Sequence, residues 1–236
     1  MPLARASLFR GRHFDPEIIT LCVRWYLRFS LSLRDLEEIM AERGLRIDHT
    51  TIWRWTQVYG PEAQRRLQGQ IKYKRSTWHI DETYIKVAGR WKYLFRAVDS
   101  SGATVDFYLS DTRDRQAARY FFQKALNNPD NPDPRVFCVD GNRSYPAAVR
   151  QMQGDGELSE HVRCRKRRYL NNRIESDHRH IKRRLRAMQG PRTAATAWRT
   201  IQGLEAIHMI RKGQMLGITR RNRAGQATVF ASLLGL

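Results

Sequence analysis

The sequence predicts an α/β domain, a mixed sheet with flanking helices, preceded by an all-α helix-turn-helix segment. Three observations carry this. Helix-start signals and apolar residues three and four apart fill residues 15–59. β-Branched and aromatic runs separated by short turns fill residues 77–109. Short apolar runs then alternate with helical stretches up to about residue 186.

The helices come first. Asp15-Pro16-Glu17 reads as a cap, a proline at the first helical position and an acid in the first turn. Ile18, Leu21, Cys22, Trp25 and Phe29 follow at helical spacing. Ser32 with Asp35 is a capping box using Asp, and Leu33, Leu36, Ile39 and Met40 form the stripe behind it. Gly44 marks the stop. Asp48 caps a third helix with Ile52, Trp55 and Tyr59 inward. Two short helices joined by a Gly-containing turn, about residues 32–59, make a helix-turn-helix. Its second helix would present His49, Thr50, Trp53, Arg54 and Gln57 outward, and Arg54 and Gln57 are able to read base edges. Gly60-Pro61 is expected to end this unit.

In the middle, residues 77–87, Trp91 to Val98 and Thr104 to Leu109 read as strands of a meander, with turns at Ala88-Gly89 and Ser101-Gly102. Arg115 to Leu126 reads as a helix, Val136 to Val139 as a buried strand, and Tyr145 to Met152 as a helix. A strand near His161 to Cys164 and a helix from Asn171 to about Arg186 follow. The order β-β-β-α-β-α-β-α is that of the ribonuclease H-like fold. The expected boundaries are 1–62 for the DNA-binding domain, 63–76 for a linker, 77–189 for the sheet domain and 190–236 for a helical tail. Ala194 to Met209 should pack on the sheet domain or at a dimer contact.

Charge narrows the partners. The 236 residues carry 43 Lys+Arg against 23 Asp+Glu, a formal +20. Residues 1–70 hold only +3 of this and 71–162 only +2, whereas 163–186 hold +9 and 187–236 hold +6. A basic rear on a balanced front suits a polyanion tracking one face. No run approaches the ~18 apolar residues of a membrane span, and the basic stretch lacks an interfacial apolar face. Cys22, Cys138 and Cys164 form no CxxC pair, which fits a reducing cytoplasm and excludes a zinc ribbon. The first 14 residues, with three Arg and no acid, read as a basic arm.

Three carboxylates stand out. Asp81 interrupts an apolar strand, Asp140 ends another before Gly141-Asn142, and Glu175 is one of two acids in the +9 segment. Buried carboxylates need a partner, either a cation side chain or a metal. If these three converge at one sheet edge, they supply what a two-metal phosphoryl-transfer site requires. Their hard oxygens suit Mg²⁺ or Mn²⁺, with two ions expected. On one helix Glu175 shares a face with Arg179 and Lys182, and these cations with Arg183 would hold a DNA backbone. Glu82 should point away from Asp81, and Asp177 reads as a surface partner for an Arg.

The chain resembles the IS-six family of bacterial insertion-sequence transposases over roughly residues 9–215. The motifs are Trp78-His79-Ile80-Asp81-Glu82-Thr83-Tyr84-Ile85-Lys86-Val87, Trp91 to Asp99, Val139-Asp140 with Tyr145-Pro146, and Tyr169 to Arg179. Thirty-four residues separate Asp140 from Glu175, a separation similar to the family's. The resemblance implies Asp81, Asp140 and Glu175 as the catalytic, metal-binding triad and Lys182 as a DNA contact. It implies binding of terminal inverted repeats, metal-dependent nicking and strand transfer, without a nucleotide cofactor. Two ends must be joined, so a homodimer or larger assembly is expected. Two rivals remain: a non-catalytic helix-turn-helix regulator, and a ribonuclease H-like nuclease that cuts without joining.

Overall fold

The computed structural model describes residues 7–72, 74–166, 172–188 and 191–236. The basic N-terminal arm falls mostly outside these, as do Tyr169 to Asn171 of the last motif. The chain divides into two compact units, residues 73–182 and residues 1–72 together with 183–236. No helix among the described residues is long and apolar enough to cross a membrane.

The helical unit begins with α1 (Pro16–Arg28), α2 (Leu33–Ala41) and α3 (His49–Leu67). Their starts follow the expected chemistry. Asp15 accepts from the Glu17 amide, Ser32 and Asp35 form a reciprocal capping box, and Asp48 accepts from the Thr50 amide.

Helix α3 does not stop at Gly60-Pro61; it runs to Leu67 with Pro61 inside it. Pro61 donates no bond to the Gln57 carbonyl one turn back, yet the helix persists because tertiary packing holds it. That packing comes from α7 (Ala194–Lys212), which lies along α3 and α1. The sequence predicts packing on the sheet domain or at a dimer contact; within its own unit, α7 packs on α3 and α1. Gly60 and Gly203 form the crossing point. A Cβ on Gly203 would lie 2.9 Å from Leu27 Cδ1 and 3.0 Å from the Gly60 Cα. Gly60 is therefore a close-approach residue, not a stop signal. Gly203→Ala should cost about 1–3 kcal/mol through overpacking, read as a lowered melting temperature. Gly154→Ala, where nothing lies within 4 Å, should leave it unchanged or higher. Residues 216–236, which gave no sequence signal, hold α8 (Arg223–Leu233), capped by Asn222.

The sheet unit has β1 (Thr77–Val87), β2 (Arg90–Asp99), β3 (Thr104–Ser110), β4 (Val136–Val139) and β5 (Arg163–Lys166). Their order is β3-β2-β1-β4-β5. The first three are antiparallel; β4 runs parallel to β1, and β5 parallel to β4. The β1–β2 turn places both Ala88 (φ 47°) and Gly89 (φ 81°) in the left-handed region, as a tight hairpin of this twist demands. This topology is the ribonuclease H-like fold.

One face of the sheet carries the core. Trp78, Ile80, Phe95, Phe137 and Val139 pack under α4 (Arg115–Leu126) and α5 (Ser144–Gly154), which supply Phe121, Phe122, Tyr145 and Val149. The Phe122 and Phe137 rings stack at 4.9 Å between centroids. Period-two alternation sends the intervening residues, His79, Asp81 and Thr83, to the opposite face. There α6 (Asn172–Ala187) is anchored.

Candidate active site

Register places the first two carboxylates side by side. Ile80 pairs with Val139 across the parallel β1–β4 ladder. The next residues are Asp81, within β1, and Asp140, just past the end of β4, so the two acids follow paired positions of neighbouring strands. Glu175 comes from the first turn of α6, where the helix N-terminus favours a negative charge. Asp81 and Glu175 line one cleft with Thr83, His178, Arg179 and Lys182.

Electrostatics tie the acids together. Burial pushes the Asp81 carboxyl up to about 7, with further pressure from Glu82, Asp140 and Glu175. The strand position is thus costly for a charge unless a cation joins it. Among the described residues, the one group of acids and histidines with all ligand atoms within 4.8 Å is Glu37, Asp48 and His49, on α2 and at the start of α3. The oxygens of Asp81, Asp140 and Glu175 do not meet that spacing as a threesome. A two-ion site would not require it, because the three acids need not all hold the same ion. The donor set, all carboxylate oxygen, fits a hard divalent cation.

Two arrangements around the acids had no sequence signal. Asp81 stands opposite Arg96 in the β1–β2 register, so their side chains share a face. Arg96 is fully buried and donates Nη2 to Asp177 Oδ2 at 2.6 Å. Asp177 is therefore not a surface partner; it fastens α6 to the sheet two residues after Glu175. On the other face, Glu82 is buried and accepts from Arg113, from the Tyr145 hydroxyl and from Asn142 Nδ2 at 3.2 Å. The Asn142 backbone N–H in turn donates to Asp140 Oδ1 at 2.8 Å. Glu82 thus points away from Asp81, as expected, and holds the turn that carries Asp140. Burial and the Glu82 carboxylate push the Tyr145 hydroxyl well up, which keeps it a donor.

His178 lies in the cleft, 4% exposed, and its Nε2 has no hydrogen-bond partner among the described residues. Burial, then Arg96, push it down to about 3 against the opposing pull of Asp177, so the ring is neutral. Arg179 is exposed and Lys182 half-buried in the same cleft; Arg183 is exposed at the start of the last part of α6.

On α3, Thr50, Trp53 and Arg54 are exposed, as expected. His49 is half-buried, with Nδ1 2.9 Å from Glu37 Oε2. Gln57 requires a correction. It is buried at 7% exposure, and its amide donates to Thr200 Oγ1 of α7 at 2.9 Å. The helix face counted as outward includes a position covered by a helix 143 residues further along.

This sheet order, with one acid on β1, a second just after the parallel strand β4 and a third at the start of the helix that follows β5, is that of a ribonuclease H-like polynucleotidyl transferase. The profile of a family described as a DDE domain matches residues 75–214. Over 206 residues the chain is 37% identical to the transposase for insertion sequence-like element IS431mec of Staphylococcus aureus strain Mu50, covering 87% of this chain and 89% of that protein. The transposase for insertion sequence element IS257 in transposon Tn4003 of the same species matches equally, at 37% with the same coverage. Among solved structures, the trimeric HTLV-2 integrase catalytic core domain in complex with magnesium matches at 14% identity and a TM-score of 0.44, over 66% of this chain and 97% of that one. The chain belongs to the IS-six family of insertion-sequence transposases and is a DDE transposase.

Proposed function

We propose that this transposase binds the terminal inverted repeats of its element through α3 and uses Asp81, Asp140 and Glu175 to nick the ends and transfer the strands to target DNA. The observation that carries the reading is the register of β1 and β4, which puts Asp81 and Asp140 side by side with Glu175 lining the cleft that Asp81 lines. Two Mg²⁺ or Mn²⁺ ions, when bound, supply activation of the attacking hydroxyl or water and stabilisation of the leaving oxygen. Asp81, Asp140 and Glu175 are the residues that would hold them.

The chain's own groups do the rest. Arg179 and Lys182 sit where a scissile phosphodiester would lie and orient it by charge. Thr50, Trp53 and Arg54 face the major groove, with His49 at the edge of that surface and Gln57 withdrawn from it. Joining two ends calls for at least a homodimer. The protein acts in the cytoplasm, on the bacterial nucleoid.

The test is a supercoiled plasmid carrying end-containing DNA, incubated with protein and Mg²⁺. Nicked ends and joined products together are expected. Binding without either product would leave the regulator reading, and nicks without joints would leave the nuclease reading.

A further inference from the structure

The helical unit carries a second concentration of charge. Helix α1 ends at Arg28 and α8 begins at Arg223, and these two helices pack together. Helix α7 carries Arg211 in its last turn and is closed by Gly213 in the left-handed conformation (φ 72°). The chain returns so tightly that a Cβ on Gly213 would lie 2.7 Å from the Arg220 amide nitrogen. Arg184 is buried, donates Nη2 to the Tyr26 carbonyl and sits over the Tyr26 ring. That bond pins the end of α6 to α1 and brings Arg183 to the same place. Five guanidinium groups therefore gather from separate parts of the chain.

Burial pushes Arg28 down, and the further pressure on it comes from Arg223 and Arg183. Burial pushes Arg211 down to about 10, with Arg28, Arg183 and Arg220 adding to it. The Nη1 atom of Arg211 is buried and has no hydrogen-bond partner among the described residues. Residues 187–236 contain a single acid, Glu205, which is fully buried. Like charges held this close destabilise the free protein, and a polyanion removes the cost. The planar fork of arginine matches phosphate oxygens in pairs.

We propose that Arg28, Arg183, Arg211, Arg220 and Arg223 form a binding site for the phosphodiester backbone of duplex DNA, distinct from the base-reading face of α3. It rests on the reading of this chain as a DNA-end-binding transposase. Duplex DNA fits the place as well as the charge. Arg28 lies four residues before Ser32, the cap of α2, and in a helix-turn-helix the first of the two helices crosses the backbone. Such a contact positions the duplex and carries no sequence information.

The experiment measures binding of the full-length protein to an end-containing duplex and to a scrambled duplex of equal length by fluorescence anisotropy over a range of salt, without divalent metal. The double variant Arg220→Ala with Arg223→Ala, both exposed, should bind both duplexes more weakly by the same factor. Its slope of log affinity against log salt should be shallower by about 2, close to one per phosphate contact. The matching Arg→Lys pair should restore the slope, which a folding defect in the alanine protein would not predict. A wild-type slope in the alanine pair, with normal binding by the parent, overturns this site and leaves the transposase reading intact. Loss confined to the end-containing duplex would make these residues base readers and also overturns it. No binding of the parent protein to either duplex overturns both readings together.

Discussion

Asp81→Asn is expected to abolish nicking and strand transfer while leaving end binding in place. The loss should be on the order of 10³-fold, the scale set by removing one charge-stabilising group from a preorganised site. The same variant carries a pH signature. In the folded chain the Asp81 carboxyl is held up at about 7, first by burial and then by Glu82, Asp140 and Glu175. A raised carboxyl binds its proton more tightly folded than unfolded. Its stabilising contribution is complete below its ordinary value near 3.8 and is lost as pH rises through about 7. In chelator, Asp81→Asn should therefore gain melting temperature relative to the parent between pH 5 and pH 8. Added Mg²⁺ should raise the parent's melting temperature at pH 8 far more than at pH 5, because the proton must leave before a hard cation binds. The variant should show little of this. A parent protein whose Mg²⁺ response is equal at both pH values would separate Asp81 from the metal.

Asp177→Ala should be the most destabilising single change in the sheet unit. It removes the ion pair that a fully buried guanidinium, Arg96, makes through Nη2 with Asp177 at 2.6 Å. Breaking a buried pair from one side costs about 3–5 kcal/mol. At about 2–4 °C per kcal/mol for a chain of this size, thermal unfolding should shift by roughly 10 °C. Replacing both partners together, Arg96→Met with Asp177→Leu, should cost less than the single change, because the buried guanidinium leaves with the carboxylate that faces it. Activity should fall in both, since α6 loses the bond that sets Glu175 over the sheet. A single variant as stable as the parent would mean that α6 is fixed by its apolar side alone.

The sequence carried the local decisions and missed those made at a distance. Asp15-Pro16, the Ser32/Asp35 box and Asp48 each satisfy amides within three residues, so their chemistry is complete in a short window. The element order β-β-β-α-β-α-β-α followed from alternation and from the short apolar run of β4, whereas the pairing of β1 with β4 that brings Asp81 near Asp140 is a matter of register. Gly60 looked like a stop because nothing near it in sequence reveals Gly203, which it touches across α3 and α7. Gln57 looked outward because helical spacing alone gives no account of Thr200. The Arg96–Asp177 pair spans 81 residues, and both members have many alternative partners in so basic a chain. Glu82 was placed on the correct face by the two-residue period, but its grip on Asn142 depends on a turn that only the folded sheet brings near.

The crossing of α3 by α7 has a consequence for biosynthesis. The ribosome releases the whole of α3 well before residues 194–212 exist, so the apolar side of that helix waits, uncovered, through the synthesis of the entire sheet unit. The sheet can close while translation continues, since domains fold as units when their own residues are available. Helix α3 cannot mature until the last two seconds or so of elongation, at about 20 residues per second, have supplied its cover. Order of emergence and order of completion are thus reversed: the segment made first is finished last, and a prematurely terminated polypeptide lacks a settled α3.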